Sequence, residues 1–318
     1  MSDTGFEHYS LFGERWWLDA VAPGQWAEAA VTSGGQVQAR LRYVLLRQGG
    51  LRVVGMPQLT QTLGPWFAPM EGKYAQQLAR QKDLVEELLA ALPPHDLFLQ
   101  RFHPSMTNWL PWYWAGYQQT TRYTYVLPDV REPAKLWPEF RDNIRNDVRK
   151  AQNRFGLKLS TELGDDVLYE IYRKTFQRQG EQPQVNAEQL RLLRRVCRER
   201  DSGEVLFVVD GDGRAHAAAF MVWDSRCAYY LLGGGDPELR NSGAHSLLLW
   251  EAIQRSASRT QSFDFEGSMV EGVERFFRAF NAQQMPYSRV WGTRKRWVNA
   301  GLHLRNALRA LRGQPPYP

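Results

Sequence analysis

Asp264 and Glu266 stand two residues apart in the run Ser262-Phe263-Asp264-Phe265-Glu266, which reads as a buried strand. Alternation along a strand puts both carboxylates on one face. There either can act as a general base toward an attacking nucleophile. A plainer use of the same pair is Asp264 capping the next turn and Glu266 holding a salt bridge. Phe263 and Phe265 then face the opposite, buried side. Gly267 suits a positive φ or a close backbone approach, and Ser268 an N-cap. Arg275 and Arg278 either bind an anion or pair with Glu271 and Glu274 one turn back. Arg178, beside Gln179 and Gly180, sits at a helix end, which suits ligand binding or carbonyl capping. Tyr230 precedes a run of glycines, where its phenol either protonates a leaving group or satisfies a core hydrogen bond. His216 and His245 are isolated histidines of the kind that more often serve structure, and His103 is a weaker candidate still.

The elements that must position these residues follow from periodicity and turn chemistry. In the second half, Glu204 to Asp210, Arg214 to Trp223 and Cys227 to Leu232 read as three antiparallel strands. The tight turns Gly211-Asp212-Gly213 and Asp224-Ser225-Arg226 join them, and Gly233-Gly234-Gly235 stops the meander. A helix over Ser242 to Ser258, a strand over Ser262 to Glu266, a helix over Gly272 to Phe280 and a strand over Tyr287 to Trp291 follow. Upstream, Asp165 to Gln177 and Ala187 to Arg200 read as helices, with a strand at Leu157 to Thr161. A long helix over Glu132 to Phe155 opens at Pro133 and ends at Gly156. Its apolar stripe is Phe140, Ile144, Val148, Ala151 and Phe155; Arg141, Arg145 and Arg149 make a second stripe. In the first half, Trp16 to Ala20 and Ala75 to Leu92 read as helices. Val37 to Leu46, Leu51 to Gly55, Leu97 to Phe102 and Thr121 to Leu127 read as strands, and Leu59 to Pro69 as a loop. A basic amphipathic helix closes the chain at Gly301 to Leu311.

Composition bounds the class. A chain of 318 residues with 43% hydrophobic and 23% charged residues is long enough for two domains with their own cores. Cys197 and Cys227 have no metal or redox spacing, which excludes a disulfide scaffold and a zinc finger. No apolar run approaches a membrane span. The first residues lack the basic and apolar regions of a signal peptide, so the expected compartment is the cytoplasm. The twelve Trp are many; large aromatics fill cores or line a cleft. The net charge of +6 is localised: residues 289–318 carry seven Lys or Arg and no acid, and residues 131–158 carry eight basic and four acidic residues. Such segments suit a phosphate-rich partner, namely a nucleotide, tRNA or an anionic lipid surface, or simply a solvated face.

The order of three antiparallel strands, glycine break, helix, strand and helix resembles the GNAT-type acyltransferases, and within them the FemAB-like (Fem-type) branch. The residues that carry the resemblance are Asp264-Phe265-Glu266-Gly267-Ser268, then Phe276-Phe277-Arg278-Ala279-Phe280-Asn281-Ala282, then Pro286-Tyr287. Support comes from Arg178-Gln179-Gly180, the basic stretch Asn143 to Ala151, and Trp17-Leu18-Asp19-Ala20 and Leu63-Gly64-Pro65-Trp66. The resemblance implies an α+β (mixed α/β) fold of two tandem GNAT-like domains, each a largely antiparallel central sheet flanked by helices. They are expected over 1–133, joined by the C-terminal helix 300–312, and over 134–299. It further implies that Arg240, Ser242, Gly243, Ala244 and His245 form the donor loop, with His245 where the family pattern has a small residue. Asp264, Glu266 and Tyr230 are then the catalytic candidates, and Arg178, Gln179, Ser268, Arg275 and Arg278 bind substrate.

Such chemistry joins an amine to an activated carbonyl, and needs orientation, proton removal and oxyanion stabilisation rather than a covalent enzyme intermediate. The leading expectation is an N-acyltransferase using acetyl-CoA or another acyl-CoA as co-substrate, without a metal, toward an amine on a sugar or cell-envelope precursor. A Fem-like transferase using aminoacyl-tRNA is the alternative, and a non-catalytic binding module on the same scaffold is a third. Expected partners are the small-molecule donor and acceptor, or tRNA, with peripheral contact to an anionic membrane through the basic C-terminal segment and no DNA.

Overall fold

The computed structural model describes residues 8–178, 182, 183, 185–267, 269–293, 295, 297, 300 and 301. Its helices and strands follow one another as α1 (Arg15–Val21), β1 (Trp26–Ser33), β2 (Gln36–Gln48), β3 (Leu51–Gly55), β4 (Pro65–Phe67), α2 (Tyr74–Ala91), β5 (Leu97–Arg101), α3 (Leu110–Trp114) and β6 (Gln118–Leu127). Next come α4 (Pro133–Leu136), α5 (Asp142–Asn153), β7 (Lys158–Ser160), α6 (Asp165–Arg178), α7 (Ala187–Glu199), β8 (Gly203–Val209), β9 (Ala215–Trp223) and β10 (Cys227–Gly235). The last are α8 (Ala244–Ser256), β11 (Ser262–Asp264), α9 (Glu271–Arg278) and β12 (Gln283–Gly292). The fold is mixed α/β, with mostly antiparallel sheet flanked by helices. No described helix is long and apolar enough to cross a membrane.

The chain divides into two compact units, one running to Arg122 and resuming at Pro286, the other spanning Tyr123–Met285. The sequence placed one boundary near 133. It falls earlier because the end of β6 pairs with β11, Leu127 opposite Phe263 and Val126 opposite Asp264. The C-terminal helix expected at 300–312 lies almost wholly outside the described residues.

In the first unit the strand order is β1-β2-β3-β5-β12, with β4 on β2. β3 and β5 are parallel and the other pairs antiparallel. Gly49 and Gly50 at φ +56° and +78° make the hairpin turn between β2 and β3. Gly34 and Gly35 at +57° and +76° make another, to β1, which the sequence reading missed. Helix α2 packs Leu84, Val85 and Leu88 into a core with Phe98, Phe102 and Trp112. The segment expected as a loop at Leu59 to Pro69 contains β4, paired with β2.

In the second unit the order is β6-β11-β10-β9-β8-β7, parallel only between β10 and β11. The long helix expected over Glu132 to Phe155 is broken. Pro138 has no N–H for the α ladder, and the chain passes through a 3-10 turn at Trp137–Glu139 before Phe140 and Arg141 extend at ψ 145° and 150°. The break delivers the Phe140 ring between Trp250 and Phe280, at 5.4 and 5.2 Å. It also dissolves the expected arginine stripe: Arg141 precedes α5, Arg145 turns back onto Asp142 and the Pro138 carbonyl, and Arg149 lies 5.9 Å over the Trp137 ring. Phe155 is exposed beyond the helix end, ahead of Gly156 at φ +60°.

The glycine run does not stop the meander. β10 continues through it, pairing Gly233, Gly234 and Gly235 with Ala219, Ala218 and Ala217. A Cβ on Gly234 would lie 2.0 Å from Thr175 Oγ1, so the missing side chain is what lets α6 rest on the strand.

Candidate functional site

β10 and β11 run side by side only as far as Tyr229 opposite Asp264. Beyond that pair they part. β10 continues to Gly235 against β9, with a bulge between Tyr230 and Leu232. β11 ends, and Phe265 N–H donates instead to Tyr125 O on β6 at 2.9 Å. Among the described residues no strand therefore pairs with β10 from Tyr230 to Gly235 on the β11 side. Backbone groups on such an edge can hold an extended ligand.

Aromatic side chains wall the wedge between the parting strands. The Tyr230 hydroxyl is 3.2 Å from His245 Nε2. His245 stands edge-on to Phe276 at 5.2 Å, and Tyr230 to Phe277 at 6.1 Å. Phe265 packs on Phe277 and Phe280 at 5.2 and 5.4 Å. Burial pushes the Tyr230 phenol above its ordinary pKa. It is thus a proton donor near neutral pH, not a base.

The link from β10 to α8 follows the end of that strand edge. Arg240–Ser242 make one 3-10 turn, Gly243 takes φ +79° as the N-cap, and α8 starts at Ala244, whose N–H donates to the Ser242 hydroxyl at 3.4 Å. A Cβ at Gly243 would lie 2.3 Å from the Asp147 carbonyl of α5, so conformation and contact both require glycine. The first N–H groups and dipole of this thirteen-residue helix suit an anion. Arg240, exposed beside them, makes no ion pair among the described residues. His245, bulky where the family pattern is small, turns its ring toward Tyr230 and Phe276.

Ser242 is buried. Its hydroxyl donates to the Leu239 carbonyl at 2.8 Å and stands 3.0 Å from His216 Nδ1, while His216 Nε2 is 3.2 Å from Asp210 Oδ2. Burial alone would raise the Asp210 carboxyl, but hydrogen bonds from His216 and Arg214 outweigh it and hold the group below the usual carboxylate range. The residue types match a hydrolytic triad, yet the Ser242 hydrogen is spent on a carbonyl and only 2% of the residue is exposed. It is not a nucleophile. His216, read from sequence as an isolated histidine, therefore has two partners. The legible signal was Asp210 and His216 flanking a tight turn, which sets them together across a hairpin.

The carboxylate pair differs from the strand reading. The strand ends at Asp264, and Glu266 takes φ +57°. The two do not share a strand face, because a left-handed residue ends the alternation. Asp264 accepts the Glu266 N–H at 2.6 Å and a hydrogen bond from the Thr124 hydroxyl. It caps the turn, which is the plainer of its two readings. Gly267 has φ +54°, and a Cβ there would lie 2.2 Å from the Tyr123 carbonyl. Phe263 and Phe265 are buried as expected. Arg278 pairs with Glu274 at 3.1 Å, the expected one-turn pair, and Arg275 is exposed on the same helix. Arg178 ends α6, and its side chain, Gln179 and Ser268 lie outside the described residues. Thr124, Phe276 and Phe277 were not singled out for this site; they reach it only through long-range packing. No group of three His, Cys, Asp or Glu side chains that could hold a metal gathers among the described residues.

Residues 138–278 match the family described as an acetyltransferase (GNAT) domain. No curated protein matches the sequence. Among solved structures the chain is similar to FemX, with 13% identity over 89% of this chain and 93% of that one and a TM-score of 0.65. It is similar to the C-terminal domain of a putative lysylphosphatidylglycerol synthetase from Agrobacterium fabrum, with 14% identity, 89% and 88% coverage and a TM-score of 0.51. A tandem GNAT protein from the clavulanic acid biosynthesis pathway shares 13% identity over 85% and 83%, with a TM-score of 0.51. Identities this low show a shared fold.

Proposed function

We propose that the protein is an N-acyltransferase moving an acyl group from acyl-CoA to an amine, on the premise that residues 138–278, which match the acetyltransferase (GNAT) domain family, are its catalytic domain within a fold similar to that of FemX. The observation that carries this reading is the parting of β10 from β11, with the N-terminus of α8 following the end of β10. The acyl chain lies along the β10 edge, and the anionic end of the donor meets the N–H groups of the first turn of α8, with Arg240 beside it. Backbone N–H groups of β10 stabilise the oxyanion as the amine nitrogen bonds to the acyl carbon. Asp264 is committed to its cap, so Glu266 is the carboxylate assigned to take the amine proton. The C–S bond breaks, and the Tyr230 phenol protonates the leaving thiolate, with His245 as its partner. The acceptor in this reading is an amine on a sugar or cell-envelope precursor.

Two features favour a second reading. His245 stands where the family pattern has a small residue, and α5, next to the loop at Gly243, belongs to the basic segment 131–158. Both suit a donor larger than coenzyme A, an aminoacyl-tRNA.

Calorimetric titration with acetyl-CoA and coenzyme A separates the two. Saturable binding, weakened about tenfold in Arg240→Ala through loss of a charge-assisted contact, supports the acyl-CoA donor. Absence of binding up to millimolar ligand rejects it and turns the assay to aminoacyl-tRNA.

A further inference from the structure

The link Asp236–Ser242, between the end of β10 and the start of α8, is secured from behind by one residue of β9. The Asp236 N–H donates to the His216 carbonyl at 2.9 Å, at the near end of the link. At the far end, His216 Nδ1 meets the Ser242 hydroxyl at 3.0 Å. The imidazole has no freedom to turn away. Its Nε2 lies 3.2 Å from Asp210, whose carboxylate is itself held by the Asp212 N–H, the Arg214 N–H and Arg214 Nε at 3.0, 3.0 and 2.8 Å. His216, Ser242 and Asp210 are all shielded from water, with side chains at most 10% exposed for the His–Asp pair. The link needs such an anchor, since Glu238, Arg240 and Asn241 are exposed. At its near end the link is also tied to α6 by the Asp236–Lys174 ion pair at 2.7 Å.

We infer that His216 is a positioning residue for the acyl donor: anchored on Asp210, it fixes Ser242 and thereby the turn that presents the N-terminus of α8. The inference rests on the donor-loop reading above. His216 touches no reacting atom, so its effect falls on donor affinity and not on the chemical step. Hydrogen bonds buried in this way hold a loop in one geometry because breaking one leaves a polar group unsatisfied away from water.

The test uses the full chain with His216→Ala and Ser242→Ala, read by calorimetry with acetyl-CoA, steady-state kinetics and amide hydrogen exchange. The expected result is donor affinity weakened about tenfold or more, the scale of one buried hydrogen bond. At saturating donor, kcat stays near the wild-type value, so the loss appears in KM. Amides of residues 238 to 244 exchange faster, while those of β9 keep their protection. Asp210→Asn, which keeps the shape and weakens the anchor, falls between. Should His216→Ala not fold, Ser242→Ala, which deletes one hydroxyl, carries the same readouts. Wild-type protein that binds neither acetyl-CoA nor aminoacyl-tRNA overturns the proposed function. Exchange at 238 to 244 unchanged in a folded variant overturns this inference alone.

Discussion

Asp264 and Glu266 are separated by what their oxygens do. Asp264 holds the Glu266 N–H and the Thr124 hydroxyl; Glu266 sits on the left-handed turn that those bonds create. Asp264→Ala should therefore cost stability, about 1 to 3 kcal/mol for buried donors left unsatisfied, seen as a lower urea midpoint. Glu266→Gln should leave that midpoint nearly unchanged and lower kcat by roughly a hundredfold or more, the scale of a lost general base. The reverse pattern would exchange the two roles. Sequence named both residues, because Asp-x-Glu beside a glycine is conspicuous. It placed them on one face, because alternation was extended two residues past the strand's real end. Tyr230 and His245 were both singled out, yet their contact at 3.2 Å joins a strand residue to a helix residue and has no local signature.

At the scale of elements, small residues decide what packs on what. Gly234 lets α6 lie on β10, with Thr175 Oγ1 already donating to the Ile171 carbonyl at 2.9 Å. Gly234→Ala should push the helix off the strand, at about 1 to 3 kcal/mol for overpacking. Adding Thr175→Ala should recover part of the loss in denaturant midpoint. Full stability in the single variant would show that α6 has slack. The meander strands were legible because alternation and turn residues agree. The broken helix before α5 was not, although Pro138 falls inside the expected span. A proline within an apolar period also permits a kinked continuation, and only the docking of Phe140 between Trp250 and Phe280 selects the break.

For the whole molecule, acid should act first through buried groups. Burial, with His103, Arg42 and Arg40 nearby, lowers the His8 pKa from 6.5 to about 3. The unfolded chain takes a proton on His8 near 6.5, and the folded chain refuses it until about 3. Between those values the unfolded state holds more protons, so stability is full above the window and falls as pH falls through it, by about 1.4 kcal/mol per pH unit. Asp236, which burial would raise but Lys174 holds below its ordinary value, adds a loss of the same sign at lower pH. The thermal midpoint should thus drop between about pH 7 and pH 4.5, and His8→Gln, which does not titrate, should narrow that gap. An unchanged gap would place the acid sensitivity elsewhere.

By itself the sequence determined the local order of this protein: the three-strand meander, most helices, and the tight turn at Gly211-Asp212-Gly213. Those features lie within a few residues of one another, where backbone sterics and alternating burial act directly. Tertiary structure decided the rest. It set where β10 leaves β11, because Phe265 exchanges its partner for Tyr125 on β6. It made Asp264 a cap through Thr124, 140 residues away. It also tied Ser242 to His216 and Asp210 across three segments of chain. Each is a pairing between distant residues whose geometry exists only once the sheet has formed.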